Sequence, residues 1–157
     1  MSDQKLITLI DGSVYAESVC DHARWIAQAT SASIELLHVI GRRQAARQDV
    51  SGTIALGART SMLEELTRVE GDMARIAQQH GRALLDGAAE RITARGLARP
   101  ETRLRIGDLI DETNEALTNA TMLVIGKRGE AADFARMHLG SNLERMVRSS
   151  TKPIFVA

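Results

Sequence analysis

The sequence predicts an α/β fold on a parallel sheet, and three observations carry that expectation. Five short apolar runs, at residues 6–10, 34–40, 101–106, 122–125 and 154–156, alternate with four segments of helical periodicity. Each return between parallel strands needs a crossover, and the helical segments supply one every time, so helices should cover both faces. Asp11, Val39, Gly107 and Gly126 fall at or near the carboxyl ends of the runs, where sheets of this kind bind ligands.

The first run, Leu-Ile-Thr-Leu-Ile, is β-branched and unbroken, as a strand buried on both faces requires, and it ends at Asp11-Gly12-Ser13. Residues 13–30 then put Ala16, Val19, Cys20, Ala23, Ile26 and Ala27 on one helical face, with Ser13 as a candidate cap. Trp25 lies off that stripe, at the core edge or an interface. The second strand, 34–40, stops at Gly41. Residues 41–61, with Gly41, Gly52, Gly57 and three arginines (42, 43 and 47), hold no period and form a long excursion.

A helical stripe returns over 61–95, long enough to span roughly 50 Å if unbroken. Gly71, Gly81 and Gly87 therefore mark breaks or a protruding end, and Gly96 with Pro100 marks the stop. Residues 101–106 set Thr102, Leu104 and Ile106 against charged neighbours, which suggests a strand with one wet face near a sheet edge. Asp108 can cap the next helix, which buries Leu109, Ile110, Thr113, Ala116 and Leu117. The fourth strand is 122–125. Helix 141–149 turns Leu143, Met146 and Val147 inward, and a last strand, 154–156, follows Pro153.

Length and composition bound the function classes. The 157 residues suit a single domain, 1–157, with a core that needs no staples. Twenty basic residues balance twenty acidic ones, which argues against a nucleic-acid partner. No apolar run approaches the roughly 20 residues of a membrane span. The opening Met1-Ser2-Asp3-Gln4-Lys5 lacks a signal-peptide cleavage pattern, and one cysteine, Cys20, leaves no internal disulfide; the expectation is a cytoplasmic protein.

The chemistry concentrates after the fourth strand. Val124-Ile125-Gly126-Lys127-Arg128-Gly129, followed by Leu139-Gly140-Ser141-Asn142 at a helix start, has the form of a phosphate cradle. Glycines admit an anion close to the backbone, and the free N–H groups opening a helix supply donors and partial positive charge. The bland reading, turn glycines at a strand exit, remains beside it, as does a capping role for Asp11-Gly12-Ser13.

Asp11-Gly12-Ser13, Leu37-His38-Val39, Gly107-Asp108 and Gly126-x-x-Gly129 with Gly140-Ser141 together resemble the universal stress protein family. The similarity covers nearly the whole chain, including Lys152-Pro153-Ile154-Phe155-Val156. The resemblance implies a Rossmann-like, adenine nucleotide alpha hydrolase-like sheet in order 3-2-1-4-5. It also implies a homodimer, often joined through the last strand, and a cytoplasmic role in stress survival. Many members bind ATP, with Mg possible beside it. By that resemblance Asp11 faces ribose and phosphate, the Val39 backbone reads the adenine edge, and Ile125 lines the adenine pocket. Gly126 and Gly129 admit ribose and phosphates, while Gly140, Ser141 and Asn142 hold phosphate. The spacer departs from the family pattern: Glu130 to Leu139 makes ten residues, one more than ATP-binding members have. The loop's Glu130 and Asp133 would oppose a triphosphate, and Lys127, Arg128, Arg136 and His138 would offset them.

The remaining polar residues read as structure. His38 is expected to be a satisfied core histidine and Cys20 a core residue. Cys20-Asp21-His22 cannot converge, because consecutive helical residues diverge. His22, His80 and His138 lack metal-ligand spacing. Neither a Walker lysine motif nor an acid pair is present, so no catalytic residue is assigned, with slow ATP hydrolysis left open. The alternative to a nucleotide-binding regulator is a dimeric interaction module that ignores nucleotide, its crevice blocked by Glu130 or Phe134.

Overall fold

The computed structural model describes residues 4–42, 56–130 and 140–157. Five strands and four helices alternate among them: β1 (Lys5–Leu9), α1 (Ala16–Thr30), β2 (Ser33–Gly41), α2 (Leu56–Thr93), β3 (Glu101–Gly107), α3 (Leu109–Leu117), β4 (Met122–Ile125), α4 (Ser141–Ser149) and β5 (Ile154–Val156). All pairings are parallel, and the sheet order is β3-β2-β1-β4-β5. The expected 3-2-1-4-5 order is thus the observed one.

Strand alternation divides the core between two layers. Leu6, Ile10, Leu36 and Val124 meet Val19, Ala23 and Ile26 of α1 and Leu85, Ala89 and Ile92 of α2. On the other face Ile7, Leu9, Leu37, Leu123 and Ile125 meet Ile110 and Leu117 of α3 and Leu143 and Met146 of α4. Ile7, Leu36, Leu37 and Leu123 are fully buried, and each contributes about 2 kcal/mol of transfer free energy. Arg91 on α2 clamps Asp21 on α1 through two hydrogen bonds, Nε to Oδ1 at 3.1 Å and Nη2 to Oδ2 at 2.9 Å. Among the described residues, no helix is long and apolar enough to cross a membrane.

Several expectations are corrected. α2 runs unbroken through Gly71, Gly81 and Gly87, so the protruding end is realised rather than a break. Its C-terminal part carries the buried Leu85, Ala88, Ala89 and Ile92, whereas Met62, Leu63, Val69, Met73 and Ile76 stand exposed. It also begins at Leu56, ahead of the expected start near 61. The rest of the long excursion, 43–55 with Gly52, Arg43 and Arg47, lies outside the described residues. Val147, expected inward, is instead 59% exposed, and α4 buries Leu143 and Met146.

β3 is an edge strand, as expected, but neither face is simply wet or dry. Ile106 is exposed, while Arg103 and Arg105 lie half-buried because they neutralise acids. Arg103 Nε sits 2.9 Å from the buried Glu35, and Arg105 reaches Glu112 and Glu115, both at 3.3 Å.

Candidate functional site

The sheet register builds a crevice at the carboxyl ends of β1 and β4. These strands are neighbours, with Thr8 opposite Val124, and their chains then lead to Asp11 and Gly126. β2 flanks β1 with Leu9 opposite Leu37, which brings Val39 level with Asp11. Strand order reverses at this point, since β1 connects outward to β2 on one side and lies against β4 on the other. That is the switch point at which open α/β sheets bind ligands.

A local turn fixes Asp11. Its Oδ1 accepts the Ser13 amide at 3.0 Å, Ser13 Oγ accepts the Tyr15 amide at 3.3 Å, and α1 starts only at Ala16. Ser13 therefore does not cap α1; its hydroxyl is spent inside the preceding turn. The second oxygen of Asp11 points at the glycine loop, where a Cβ on Gly129 would lie 3.4 Å from Oδ2.

The loop closes on itself just beyond. A Cβ on Gly126 would meet Tyr15 Cβ at 3.1 Å and Val19 Cγ2 at 3.4 Å, so glycine lets α1 pack closely on this strand exit without a neighbour having to give. Gly140 donates its amide to Lys127 O at 3.3 Å, and a Cβ on it would lie 3.3 Å from Arg128 Cα. The structure thus brings Asp11, Gly126, Arg128, Gly129 and Gly140 together. Residues 131–139, with Asp133, Phe134, Arg136, His138 and Leu139, lie outside the described residues.

Ser141 and Asn142 begin α4, exposed and ahead of its first helical bond, Glu144 N to Gly140 O at 3.1 Å. Gly140 makes no side-chain cap, so these amides face outward with the positive end of the helix. Ile125 is buried and Val39 partly buried, both in the apolar cluster on the α3 and α4 face. Arg128 Nε is buried without a hydrogen-bond partner among the described residues.

At the crevice mouth stands Glu130, the acid that the blocked-crevice alternative names, and beside it His80, which escaped sequence reasoning in this role. A Cβ on Gly12 would fall on the Glu130 carboxylate, and Glu130 Oε1 is 3.8 Å from His80 Nε2 on α2. Nothing in local spacing joins His80 to Glu130; only the path of α2 across the sheet does. His38 behaves as expected, with Nδ1–H donated to Ile10 O at 2.7 Å. Cys20 is core, and burial pushes its thiol up to about 11. Among the described residues, no group of three or more His, Cys, Asp or Glu could hold a metal ion. A separate polar concavity of about 270 Å³, at Lys5, Glu35, Arg103, Arg105 and Glu115, lies away from the switch point, and its charges neutralise one another.

With this geometry in place, comparison with known proteins decides the family. A model of the universal stress protein family matches residues 4–157. The chain belongs to the universal stress protein family. A universal stress protein of Synechocystis sp. is 31% identical over 156 residues, covering 98% of this chain and 54% of its own length. The chain therefore spans about half of that relative. A universal stress protein solved in complex with cAMP superposes with a TM-score of 0.64 at 23% identity, covering 100% of this chain and 98% of that one. One from Archaeoglobus fulgidus in complex with dAMP gives 0.58 at 15%, covering 99% and 98%. These two likenesses are of fold.

Proposed function

We propose that this universal stress protein binds an adenine nucleotide, ATP or a relative, at the switch-point crevice and acts as a dimeric cytoplasmic regulator of the stress response rather than as an enzyme. The observation that carries the reading is the convergence of Asp11 Oδ2 on Gly129, with Gly140 tied to Lys127, at the reversal of strand order. Fold relatives solved with cAMP and dAMP support the same ligand class.

In this reading Ile125 lines the base pocket and the Val39 backbone meets the adenine edge. Asp11 takes the ribose hydroxyls, or Mg carried in with a polyphosphate. Gly126 and Gly129 let backbone reach the ribose and phosphates, the Gly140, Ser141 and Asn142 amides take phosphate oxygens, and Arg128 supplies positive charge. Calorimetric titration with AMP and with ATP, each with and without Mg, tests it: the expected result is saturable binding of at least one, and no binding at millimolar nucleotide sinks it. Dimerisation would use the outer edge of β5, toward which the Val156 N–H points, and sedimentation equilibrium of the protein beside a Val156→Pro variant checks that part.

One observation favours the second reading, a nucleotide-independent interaction module: Glu130 lies across Gly12 at the crevice mouth. That reading requires partner binding to be indifferent to nucleotide and to Asp11→Ala.

A further inference from the structure

We propose that Glu130 sets the phosphate number this site accepts, making it a site for adenine nucleotides with a single phosphate rather than for the triphosphate. The inference rests on the nucleotide reading above and narrows it. Asp11 and Glu130 place two carboxylates at the crevice: Asp11 Oδ2 faces Gly129, and the Glu130 carboxylate covers Gly12, the residue next to Asp11. Against them the described residues offer one buried, unpartnered cationic nitrogen, Arg128 Nε, while Lys127 is exposed.

Among the described residues, the Gly140 amide is spent on Lys127 O, while the opening amides of α4 remain to meet an anion. Each further phosphoryl group adds negative charge beside two carboxylates, and like charges at close range in a partly desolvated site repel.

His80 Nε2 on α2 stands 3.8 Å from Glu130 Oε1 across the mouth, both side chains being exposed. The Glu130 carboxylate lies over Gly12, where an added Cβ would fall on it. Glu130 acts by repulsion, as a selector against excess charge.

The test is calorimetric titration of the wild-type protein and Glu130→Gln with AMP and with ATP in EDTA, at low and at moderate salt. The expected result is that the wild type binds AMP at least about tenfold more tightly than ATP, one decade being about 1.4 kcal/mol. Glu130→Gln tightens ATP about tenfold and leaves AMP within about twofold. Added salt narrows the wild-type gap, because screening weakens repulsion between partly exposed charges. Equal tightening of both nucleotides would mean that Glu130 opposes the first phosphate as much as the others, and no change for either would make it at most a steric plug; both overturn the proposal, as would a wild type that prefers ATP. Absence of binding by either nucleotide to either protein overturns the nucleotide reading itself, so the two failures are distinguishable.

Discussion

Thr8, buried, and His38, partly buried, show how differently two polar side chains are treated on one face of the sheet. His38 gives its Nδ1 proton to Ile10 O and pins the exit of β1, whereas Thr8 Oγ1, in a residue with 0% exposure, has no hydrogen-bond partner among the described residues. A buried hydroxyl without a partner forfeits its hydration and gains nothing in return. Replacing it by the similarly shaped valine removes that penalty, so Thr8→Val should raise stability by about 1 kcal/mol, read as a higher urea midpoint with unchanged slope. At this scale the sequence was informative about satisfied groups and silent about orphans. Cys20 read correctly as core and His38 as a satisfied histidine, but whether a strand hydroxyl finds an acceptor depends on neighbours from other elements.

At the scale of elements, α2 separates what glycine means in a helix. Gly87 is solvent-facing, and a Cβ added there would meet nothing within 4 Å, so alanine should add about 0.5–1 kcal/mol through lower chain entropy and better helix propensity. Gly81 is the opposite case: a Cβ would stand 2.7 Å from His38 Cδ2, on a ring already anchored to Ile10 O. Gly81→Ala should therefore cost about 1–3 kcal/mol, and thermal unfolding of the two variants beside the parent checks both signs. Periodicity found the helix but could not rank its glycines, since a glycine that admits a neighbour and one that does not leave the same mark in a sequence. The Ser13 cap failed because Asp11 and Ser13 build one turn ahead of α1, Asp11 accepting the Ser13 amide and Ser13 Oγ the Tyr15 amide, so the helix starts only at Ala16.

For the whole molecule, charge pairing sets the pH range of stability. The Arg91 guanidinium holds Asp21 below the usual carboxylate range, and Arg145, with the Asp111 and Ile110 amides, does the same for Asp108. A depressed carboxylate contributes its full share above its unfolded value of about 4 and loses it as pH falls through the lower folded value. Lys5, raised from 10.5 chiefly by its hydrogen bond to Glu35, contributes fully below its unfolded value and loses that share as pH rises through its folded one. Stability should plateau between about pH 4 and pH 10, and Asp21→Asn should fall below the parent at neutral pH with the gap narrowing as pH falls below about 4, as urea midpoints across that range would record. The alternation of strands and helices was legible because it is a local pattern, and the strand order followed from family resemblance. The network joining Lys5 to Glu35, 30 residues away, was not, because such pairs exist only once the register is set.

One chain of hydrogen bonds joins the site to the margin of the sheet. Gly140 N donates to Lys127 O, Lys127 N to Ala157 O, and Ala157 N to Ile125 O, so loop and edge strand are stitched into a single ribbon. A shift at Lys127 must be transmitted through bonds of 2.9 Å to Ala157 or break them. The outermost strand is therefore coupled to the crevice, and a fluorophore placed beside Ala157, one hydrogen bond from Lys127, is expected to register events at the glycine loop.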